Sequence, residues 1–343
     1  MKALQLVAPS RFDLVDLPVP DPGAGELLVK VKACGICGSD IHGMDGSSGR
    51  RIPPIVMGHE ASGIVHKTGA DVADWSPGDR LTFDSTIYCG ECGYCRRGRV
   101  NLCENREVLG VSCGEFRRQG AFAEYVVVPA RICHRLPGDL PFEEAAFAEP
   151  VGVALHAVHR LRLGPGESAL VVGAGLIGLL VVQALRRAGC ERIIAVDLAD
   201  DRLALARKLG ATDVINSVSG DAAAAVRDLT DGDGAHVALE VVGTTPTVQL
   251  AMDAVRKGGR VCLVGNITPT VEFPLQVAVA RELDILGSCA INGEYPDALA
   301  AIADRTIDVR PLISATAPLD DGAEWFARLH AGDPGTFKVI LQP

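Results

Sequence analysis

Residues 169–178 read Ala-Leu-Val-Val-Gly-Ala-Gly-Leu-Ile-Gly, and this stretch decides the fold of the second half of the chain. Its first four residues form a short apolar run typical of a buried strand, and an apolar helical pattern follows as far as Arg187. Between them lies the pattern Gly-x-Gly-x-x-Gly. Found alone this pattern is weak evidence, but between a strand and a helix it indicates a dinucleotide-binding turn.

The three glycines of this turn have different predicted roles. Gly173 permits the tight bend, Gly175 lets a pyrophosphate approach the backbone, and Gly178 lets the helix pack closely on the strand. The helix begins at Leu176 and Ile177, where unpaired N–H groups and the helix dipole favour phosphate. The alternative is a glycine-rich turn that binds nothing.

An acidic residue further along predicts which dinucleotide binds. Asp197 follows Gly178 by 19 residues, at the end of the next predicted strand, residues 193–196. A carboxylate there accepts hydrogen bonds from the ribose hydroxyls of NAD and repels the 2′-phosphate of NADP. Arg202 is close in sequence, where it can flank the adenine or soften that discrimination. We therefore predict NAD as the cofactor.

The rest of the chain divides into two kinds of pattern. After Pro150, predicted strands at residues 192–196, 214–216, 237–242 and 260–264 alternate with helical segments, the last of them ending at Arg256. This alternation predicts an α/β domain with a doubly wound parallel sheet. Before Pro150, short β-type runs separated by Pro and Gly clusters predict an irregular, mostly antiparallel β domain, with strands at residues 27–33, 63–67 and 123–128.

Composition excludes several classes of partner. The 343 residues carry a formal net charge of −10, which disfavours nucleic acid and anionic membrane surfaces. The longest apolar run, residues 169–185, is shorter than a membrane span and contains three glycines. We find no export signal at the N-terminus, so we expect a cytoplasmic protein whose 11 cysteines are thiols or metal ligands.

Four cysteines are concentrated in one polar loop. Cys89, Cys92, Cys95 and Cys103 form the pattern C-x2-C-x2-C-x7-C. Four thiolates satisfy tetrahedral zinc and leave no place for a substrate, so a structural zinc is predicted at residues 89–103. An iron–sulfur cluster, buried free thiols and a nucleic-acid-binding zinc ribbon are the alternatives, and the acidity of the chain argues against the last.

A second, mixed set of metal ligands lies outside that loop. Gly-Ile-Cys-Gly-Ser-Asp-Ile-His at residues 35–42 precedes Gly-His-Glu at residues 58–60, and Glu149 comes at the junction of the two patterns. These segments supply a thiolate (Cys37), an imidazole and carboxylates. Such a set with fewer than four fixed ligands suits a catalytic zinc, which keeps one position open.

Together these motifs resemble the zinc-dependent medium-chain dehydrogenases, the alcohol and polyol dehydrogenases, over essentially the whole chain. The resemblance implies a GroES-like β-rich catalytic domain plus a doubly wound Rossmann domain. We assign the first to residues 1–150, with the zinc lobe at 89–103, and the second to residues 151–288. A C-terminal segment, residues 289–343, rejoins the catalytic domain. Homo-oligomers, dimers or tetramers, are usual for such relatives.

The resemblance also implies a role for each site residue. Cys37 and His59 are zinc ligands, and either Glu60 or Glu149 completes the set. Asp40 hydrogen-bonds the ring of His59. Ser39 and His42 match the positions of the proton relay. The resemblance therefore implies an enzyme with two zinc ions per subunit that oxidises an alcohol by hydride transfer to NAD.

The substrate is the least determined property. An acid at position 149 is typical of polyol, threonine and glucose dehydrogenases. Gly43 stands where sorbitol dehydrogenases have a tyrosine, and Ala290 and Ile291 stand where they have an Arg-Tyr pair, which puts sorbitol itself in doubt. Arg50 and Arg51 either recognise a phosphate or carboxylate or are surface charges. The leading hypothesis is a polyol or sugar-phosphate dehydrogenase, and the alternatives are a threonine dehydrogenase and a non-catalytic zinc protein that binds NAD.

Overall fold

A computed structural model describes residues 1–113, 116–333 and 335–343. Backbone contacts divide these residues into two compact units. The first comprises Met1–Glu149, Ile291–Ala303 and Val309–Pro343, and the second comprises Pro150–Ala290 and Asp304–Asp308. No helix within the described ranges has the length and hydrophobicity required to cross a bilayer.

The elements follow one another along the chain in three groups. The first group is β1 (Lys2–Ala8), β2 (Arg11–Asp16), β3 (Glu26–Gly35), α1 (Gly38–Gly43), β4 (Ile55–Val56), β5 (Glu60–Thr68), β6 (Arg80–Phe83), β7 (Thr86–Ile87), α2 (Gly93–Arg96), β8 (Glu107–Val108), β9 (Ser112–Cys113), β10 (Phe116–Arg117), β11 (Tyr125–Pro129), β12 (Cys133–Arg135) and α3 (Phe142–Ala145). The second is α4 (Ala148–Leu161), β13 (Ser168–Val172), α5 (Leu176–Arg187), β14 (Arg192–Asp197), α6 (Asp200–Leu209), β15 (Asp213–Asn216), α7 (Ala222–Asp228), β16 (Ala235–Glu240), α8 (Thr245–Ala254), β17 (Val255–Leu263), α9 (Leu275–Ala280) and β18 (Asp284–Gly287). The third is α10 (Tyr295–Ala303), β19 (Ile313–Pro318), α11 (Gly322–His330) and β20 (Lys338–Gln342).

The first unit is built on a seven-stranded, mostly antiparallel sheet. Its path is β12-β6-β5-β3-β20-β19, and β11 also pairs with β3. Strand β3 pairs with three neighbours, and Leu27, Val29 and Val31 on it are buried while Lys30 is exposed. Leu28 and residues 33–35 are buried as well, so one face of the strand lies in the core and the other is only partly exposed. The three strands predicted for this half of the chain are confirmed.

The second unit is a six-stranded parallel sheet with the order β15-β14-β13-β16-β17-β18. This is the doubly wound order found in dinucleotide-binding folds. The predicted α/β class is confirmed. The predicted end of α8 at Arg256 is wrong by two residues, because Val255 has extended backbone angles and pairs with Ala235 as the first residue of β17.

The glycine turn of the second unit has the tight packing that its sequence predicts. Gly173 adopts a φ of +102°, a conformation that favours glycine. A Cβ on Gly178 would lie 1.9 Å from the carbonyl oxygen of Gly173. A Cβ on Gly175 would meet nothing within 4 Å. The protein itself therefore requires glycine at the first and third positions but leaves space at the second.

We predict that Gly178→Ala destabilises the second unit whereas Gly175→Ala does not. The alanine at 178 must push helix and turn apart, at a cost of about 2–3 kcal/mol. Thermal unfolding of the two variants, followed by circular dichroism, checks this. Gly175→Ala should unfold at the wild-type temperature but bind NAD more weakly. Equal unfolding temperatures for both variants would contradict the assigned packing.

Candidate functional site

The four cysteines of the predicted zinc lobe come together in the structure. Their sulfur atoms form one group in which every pair lies within 4.8 Å. The Sγ atoms of Cys89 and Cys103 are 3.5 Å apart, and the pairs Cys89–Cys95 and Cys92–Cys103 are each 4.0 Å apart. Tetrahedral zinc with bonds of about 2.3 Å requires sulfur–sulfur distances of about 3.8 Å, so the cluster has the size of a zinc site.

Backbone amides favour the thiolate form of two of these four cysteines. The N–H groups of Cys89, Cys92 and Cys95 donate to Sγ of Cys103, Cys89 and Cys92, at 3.3, 3.4 and 3.5 Å. Backbone donors lower the pKa of Cys92 to about 6 and also lower that of Cys89, whereas burial raises the pKa of Cys95 to about 12 and also raises that of Cys103. Thiolates are the form that binds metal. The residues therefore fit a four-thiolate zinc.

The second predicted metal site lies where three strands of the first unit meet. Strands β3 and β5 run antiparallel, and Gly35 at the end of β3 pairs with Glu60 at the start of β5. This register brings Cys37, just after β3, beside His59, just before β5. The candidate ligand atoms of Cys37, His59 and Glu60 all lie within 4.8 Å of one another. Three protein ligands leave an incomplete coordination sphere, as in a catalytic zinc site.

Cys37 is held by the start of a short helix. It is the N-cap of α1, and its backbone N–H donates to Oδ2 of Asp40 at 3.3 Å. Oδ1 of the same carboxylate lies 3.5 Å from Nδ1 of His59. Asp40 therefore contacts both predicted ligands, as the resemblance implies for His59. Burial alone would raise the pKa of Asp40, but the charges of His59 and Arg51 hold it well below its usual range.

His59 is positioned by a glycine that no other residue could replace. Gly58 has a φ of +95°, and a Cβ there would lie 2.9 Å from Sγ of Cys34 and from the backbone of Phe122. The chain therefore passes close to the core before it turns His59 toward Cys37. Burial would lower the pKa of His59, but the negative charges of Asp40 and Cys37 raise it well above its usual range. The ring of His59 therefore interacts with two anionic groups, the Cys37 sulfur and the Asp40 carboxylate.

Glu60 has a partner that sequence reasoning missed. Nζ of Lys338, on β20, lies 2.5 Å from Oε2 of Glu60 and donates to the carbonyl of Ile36 at 2.9 Å. Both charged side chains are buried. No local motif indicates Lys338, because it is 278 residues from Glu60 and reaches it only through the pairing of β20 with β3.

Glu149 lies near this group but not within it. It is half-buried in the first turn of α4, and its carboxylate does not belong to the set of atoms within 4.8 Å of one another. Burial and the neighbouring charge of Glu60 raise its pKa to about 7. The structure therefore places Glu60 closer to the other two ligands than Glu149.

The predicted relay residues and the two arginines separate into exposed and buried groups. Ser39 and His42 are exposed, three residues apart on α1 and so on one face of it. Arg50 is exposed. Arg51 is 4% exposed and its guanidinium binds Asp40 and Ser39, so neither the surface-charge nor the phosphate-binding hypothesis holds for it.

The second unit holds the predicted nucleotide residues around the glycine turn. Oδ2 of Asp197 accepts a hydrogen bond from the N–H of Ala174 at 2.6 Å, which ties the turn to the end of β14. Oδ1 accepts from the N–H groups of Leu198 and Ala199. Arg202 is half-buried in the first turn of α6. The empty space over Gly175 fits the approach of a pyrophosphate to the backbone.

Comparison with known families agrees with this geometry. The family described as "Alcohol dehydrogenase GroES-like domain" matches residues 23–138, and the family described as "Zinc-binding dehydrogenase" matches residues 177–304. The two matches together cover most of the chain. The first match falls in the β-rich half of the sequence before Pro150, and the second falls in the alternating α/β half after it.

Individual relatives are similar over nearly the whole chain. An L-idonate 5-dehydrogenase of Vitis vinifera is 37% identical over 303 residues, which are 86% of this chain and 82% of the relative. A sorbitol dehydrogenase of Bacillus subtilis is 33% identical over 348 residues, 100% of this chain and 97% of the relative. A solved structure from Sinorhizobium meliloti 1021, described as a zinc-binding dehydrogenase bound to NADP, has a TM-score of 0.91 with 34% identity and covers 100% of this chain and 99% of that one.

We predict that Cys92→Ser removes one of two zinc ions. Three remaining thiolates hold zinc weakly, so the metal content should fall from about two to about one per subunit, with a lower unfolding temperature. Elemental analysis of the purified protein measures this. Cys190→Ser, which changes a half-buried thiol outside both metal groups, is the control. An unchanged zinc content in Cys92→Ser would show that the lobe does not hold the metal.

Proposed function

We propose that this chain, which belongs to the zinc-dependent medium-chain alcohol and polyol dehydrogenases, oxidises a secondary alcohol of a polyol or sugar phosphate to the ketone, with NAD as the hydride acceptor. The observation that carries the proposal is the convergence of Cys37, His59 and Glu60 on one point of the first unit. A thiolate, an imidazole and a carboxylate are zinc ligands, and three of them leave one position for an oxygen atom of the substrate.

Zinc bound here would act as a Lewis acid toward the alcohol oxygen. Cys37 and His59 would hold the ion, and Glu60 is the better placed of the two candidate third ligands. Lys338 competes for the same carboxylate, since its ammonium group already contacts Oε2 of Glu60. Glu149 lies outside that group of ligand atoms and would stay close by without a fixed bond to the ion.

The chain's own residues would carry the proton away from the substrate. Ser39 and His42 lie on the same exposed face of α1, one turn apart. The Ser39 hydroxyl would accept the alcohol proton and pass its own proton toward His42, which exchanges with solvent. Asp40, on the buried side of the helix, would hold the ring of His59 in one tautomer.

The turn at Gly173–Gly178 would bind the pyrophosphate of the cofactor, which accepts the hydride. The amides of Leu176 and Ile177, in the first turn of α5, would donate hydrogen bonds to the phosphates. Asp197 would accept a ribose hydrogen bond through Oδ2, which keeps one lone pair free beside the bond from Ala174, whereas Oδ1 already accepts two backbone N–H bonds. Its negative charge supports NAD over NADP, and Arg202 would flank the adenine.

The buried state of Arg51 bears on the substrate class. Each of its guanidinium nitrogens has a protein partner, so it cannot anchor a phosphate. Of the two arginines considered for that role, only Arg50 remains exposed. The structure therefore supports an unphosphorylated polyol more strongly than a sugar phosphate.

We also propose that the chain forms a homo-oligomer, a dimer or a tetramer. Strand β18 is an edge of the six-stranded sheet. Beside it in sequence is an exposed apolar segment, residues 267–279, in which Ile267, Phe273, Leu275 and Val279 are 41–69% exposed. Clustered apolar side chains next to an open sheet edge are typical of a surface that pairs with a second copy.

A substrate screen tests the proposed function. With NAD, the zinc-loaded protein should oxidise a polyol more efficiently than a sugar phosphate or L-threonine. With a polyol, it should reduce NAD more efficiently than NADP. The absorbance of the reduced cofactor measures each rate. Cys37→Ser and His59→Ala should each lower kcat/KM about a thousandfold, because the ion contributes several kcal/mol to the transition state.

Cys34→Ala is the matched control for this experiment, since it removes a neighbouring buried thiol that lies outside the metal group. It should retain turnover. Activity that persists in Cys37→Ser would refute the zinc role. The absence of turnover with every alcohol, despite bound NAD and full zinc, would favour the non-catalytic alternative, and a preference for threonine would favour the amino-alcohol alternative.

We predict that the double variant Leu275→Asp, Val279→Asp gives a smaller species than the wild type. Two carboxylates in the apolar segment must be desolvated on association, which costs several kcal/mol. Sedimentation equilibrium measures the mass. Val218→Asp, at another exposed apolar position of the same unit, should leave the mass unchanged. A wild-type mass equal to one chain would end the oligomer proposal.

A further inference from the structure

Arg51 is the one arginine of the loop after α1 that lies inside the protein. Its side chain is 4% exposed, whereas the adjacent Arg50 is exposed. The guanidinium donates to Oδ1 of Asp40 twice, from Nε at 3.2 Å and from Nη2 at 2.8 Å. Nη2 also lies 3.3 Å from Oγ of Ser39, and Nη1 donates to the carbonyl of Arg50 at 3.4 Å. All three nitrogens are therefore engaged.

The two side chains that Arg51 contacts are functionally distinct. Asp40 contacts His59, a candidate zinc ligand, and Ser39 is the candidate first group of the proton relay. We propose that Arg51 is a positioning residue of the dehydrogenase site. Its guanidinium fixes the Asp40 carboxylate against His59. At the same time it fixes the Ser39 hydroxyl on the exposed face of α1. This inference rests on the proposed function.

The contact of Arg51 with Asp40 compensates a buried negative charge. Asp40 has no solvent exposure, and a buried carboxylate without a compensating charge is strongly destabilising. A histidine that binds a metal is neutral, so His59 cannot supply the compensating charge in the zinc-bound enzyme. Arg51 carries a permanent charge and contacts the same oxygen, Oδ1, that lies 3.5 Å from Nδ1 of His59. It therefore keeps the Asp40 carboxylate beside Nδ1 of the neutral ring.

The contact of Arg51 with Ser39 sets the direction in which the Ser39 hydroxyl proton points. A hydroxyl has one proton to donate and two lone pairs. When Arg51 donates to Oγ of Ser39, it uses one lone pair and leaves the other free for the substrate's proton. The proton of Ser39 must then point away from Arg51, toward another acceptor. A lysine could supply the charge from this position, but its single ammonium group lacks the planar fork that reaches both partners.

The test compares Arg51→Gln and Arg51→Lys with the matched control Arg50→Gln in the zinc-loaded enzyme. Outer-shell partners of metal ligands typically affect metal affinity or activity by about 10–100-fold. Arg51→Gln should lose its catalytic zinc to dipicolinate at least about tenfold faster than wild type, while the zinc of the four-cysteine lobe is released at the wild-type rate. Its kcat should fall by about 10–100-fold, with KM for the alcohol changed less than about threefold.

Arg51→Lys separates the two contacts and guards against a folding defect in the glutamine variant. It should retain zinc nearly as well as wild type, because the charge beside Asp40 remains, but its kcat should stay low because Ser39 loses its donor. In a Ser39→Ala background, Arg51→Lys should cause no further loss of kcat. Arg50→Gln should match wild type in zinc release and in kcat with an unphosphorylated polyol.

Zinc release and kcat within twofold of wild type in both Arg51 variants would overturn the proposal. A loss of thermal stability without either effect would also overturn it, because it would show a purely structural ion pair. If the wild-type enzyme turns over no alcohol, the proposed function fails, but the zinc-release measurement still decides whether Arg51 holds the ligand set.

Discussion

A carboxylate without solvent exposure, Asp40, is the constraint on which the metal site of the first unit depends. A buried charge of this kind must be compensated, and the fold supplies the compensation from several directions. The backbone N–H of Cys37 donates to one oxygen, and Arg51 and His59 approach the other. Each partner is itself a candidate site residue or its immediate neighbour. Satisfying Asp40 therefore fixes the positions of the groups that would hold zinc.

Strand β3 sets where this carboxylate lies. Its end at Gly35 pairs with Glu60 on one side and with Ile340 on the other, so segments from three distant parts of the sequence meet there. The short helix α1 begins immediately afterwards and turns Asp40 inward and Ser39 outward. The ladder of backbone hydrogen bonds provides the rigidity that a ligand set requires, because rigid elements hold side chains more precisely than loops do.

Sequence reasoning could predict the parts of the site that are encoded in short segments. The cysteine spacing, the Gly-His-Glu segment and the glycine turn each specify local geometry, since turn chemistry and ligand spacing act within a few residues. The helix end misplaced at Arg256 shows the limit of local pattern, because sheet pairing of Val255 overrode the helical periodicity. The fold class follows from the change of periodicity after Pro150, which extends over many residues and is therefore a strong signal.

The contacts of Lys338 and Arg51 could not be predicted, because they depend on strand pairing between distant segments or on burial. Lys338 reaches Glu60 across 278 residues, and only the sheet order brings them together. Arg51 is 11 residues from Asp40, yet its pattern, two arginines in a polar loop, is the same for a surface charge and for a buried one. Charged residues are buried only when paired, and the pairing is a property of the folded chain.

The charges around the two metal groups explain why one would be structural and the other reactive. In the four-cysteine lobe, four thiolates would outnumber the charge of a divalent ion and occupy every position around it, so that nothing else could bind. In the mixed site, Cys37, Asp40 and Glu60 are opposed by Arg51 and Lys338, so the protein offers a divalent ion an almost balanced pocket. An ion held there keeps most of its positive charge for an outside oxygen, which is the property a Lewis acid needs. The buried cations would therefore add to the reactivity of the ion, because they offset the charge of the surrounding carboxylates.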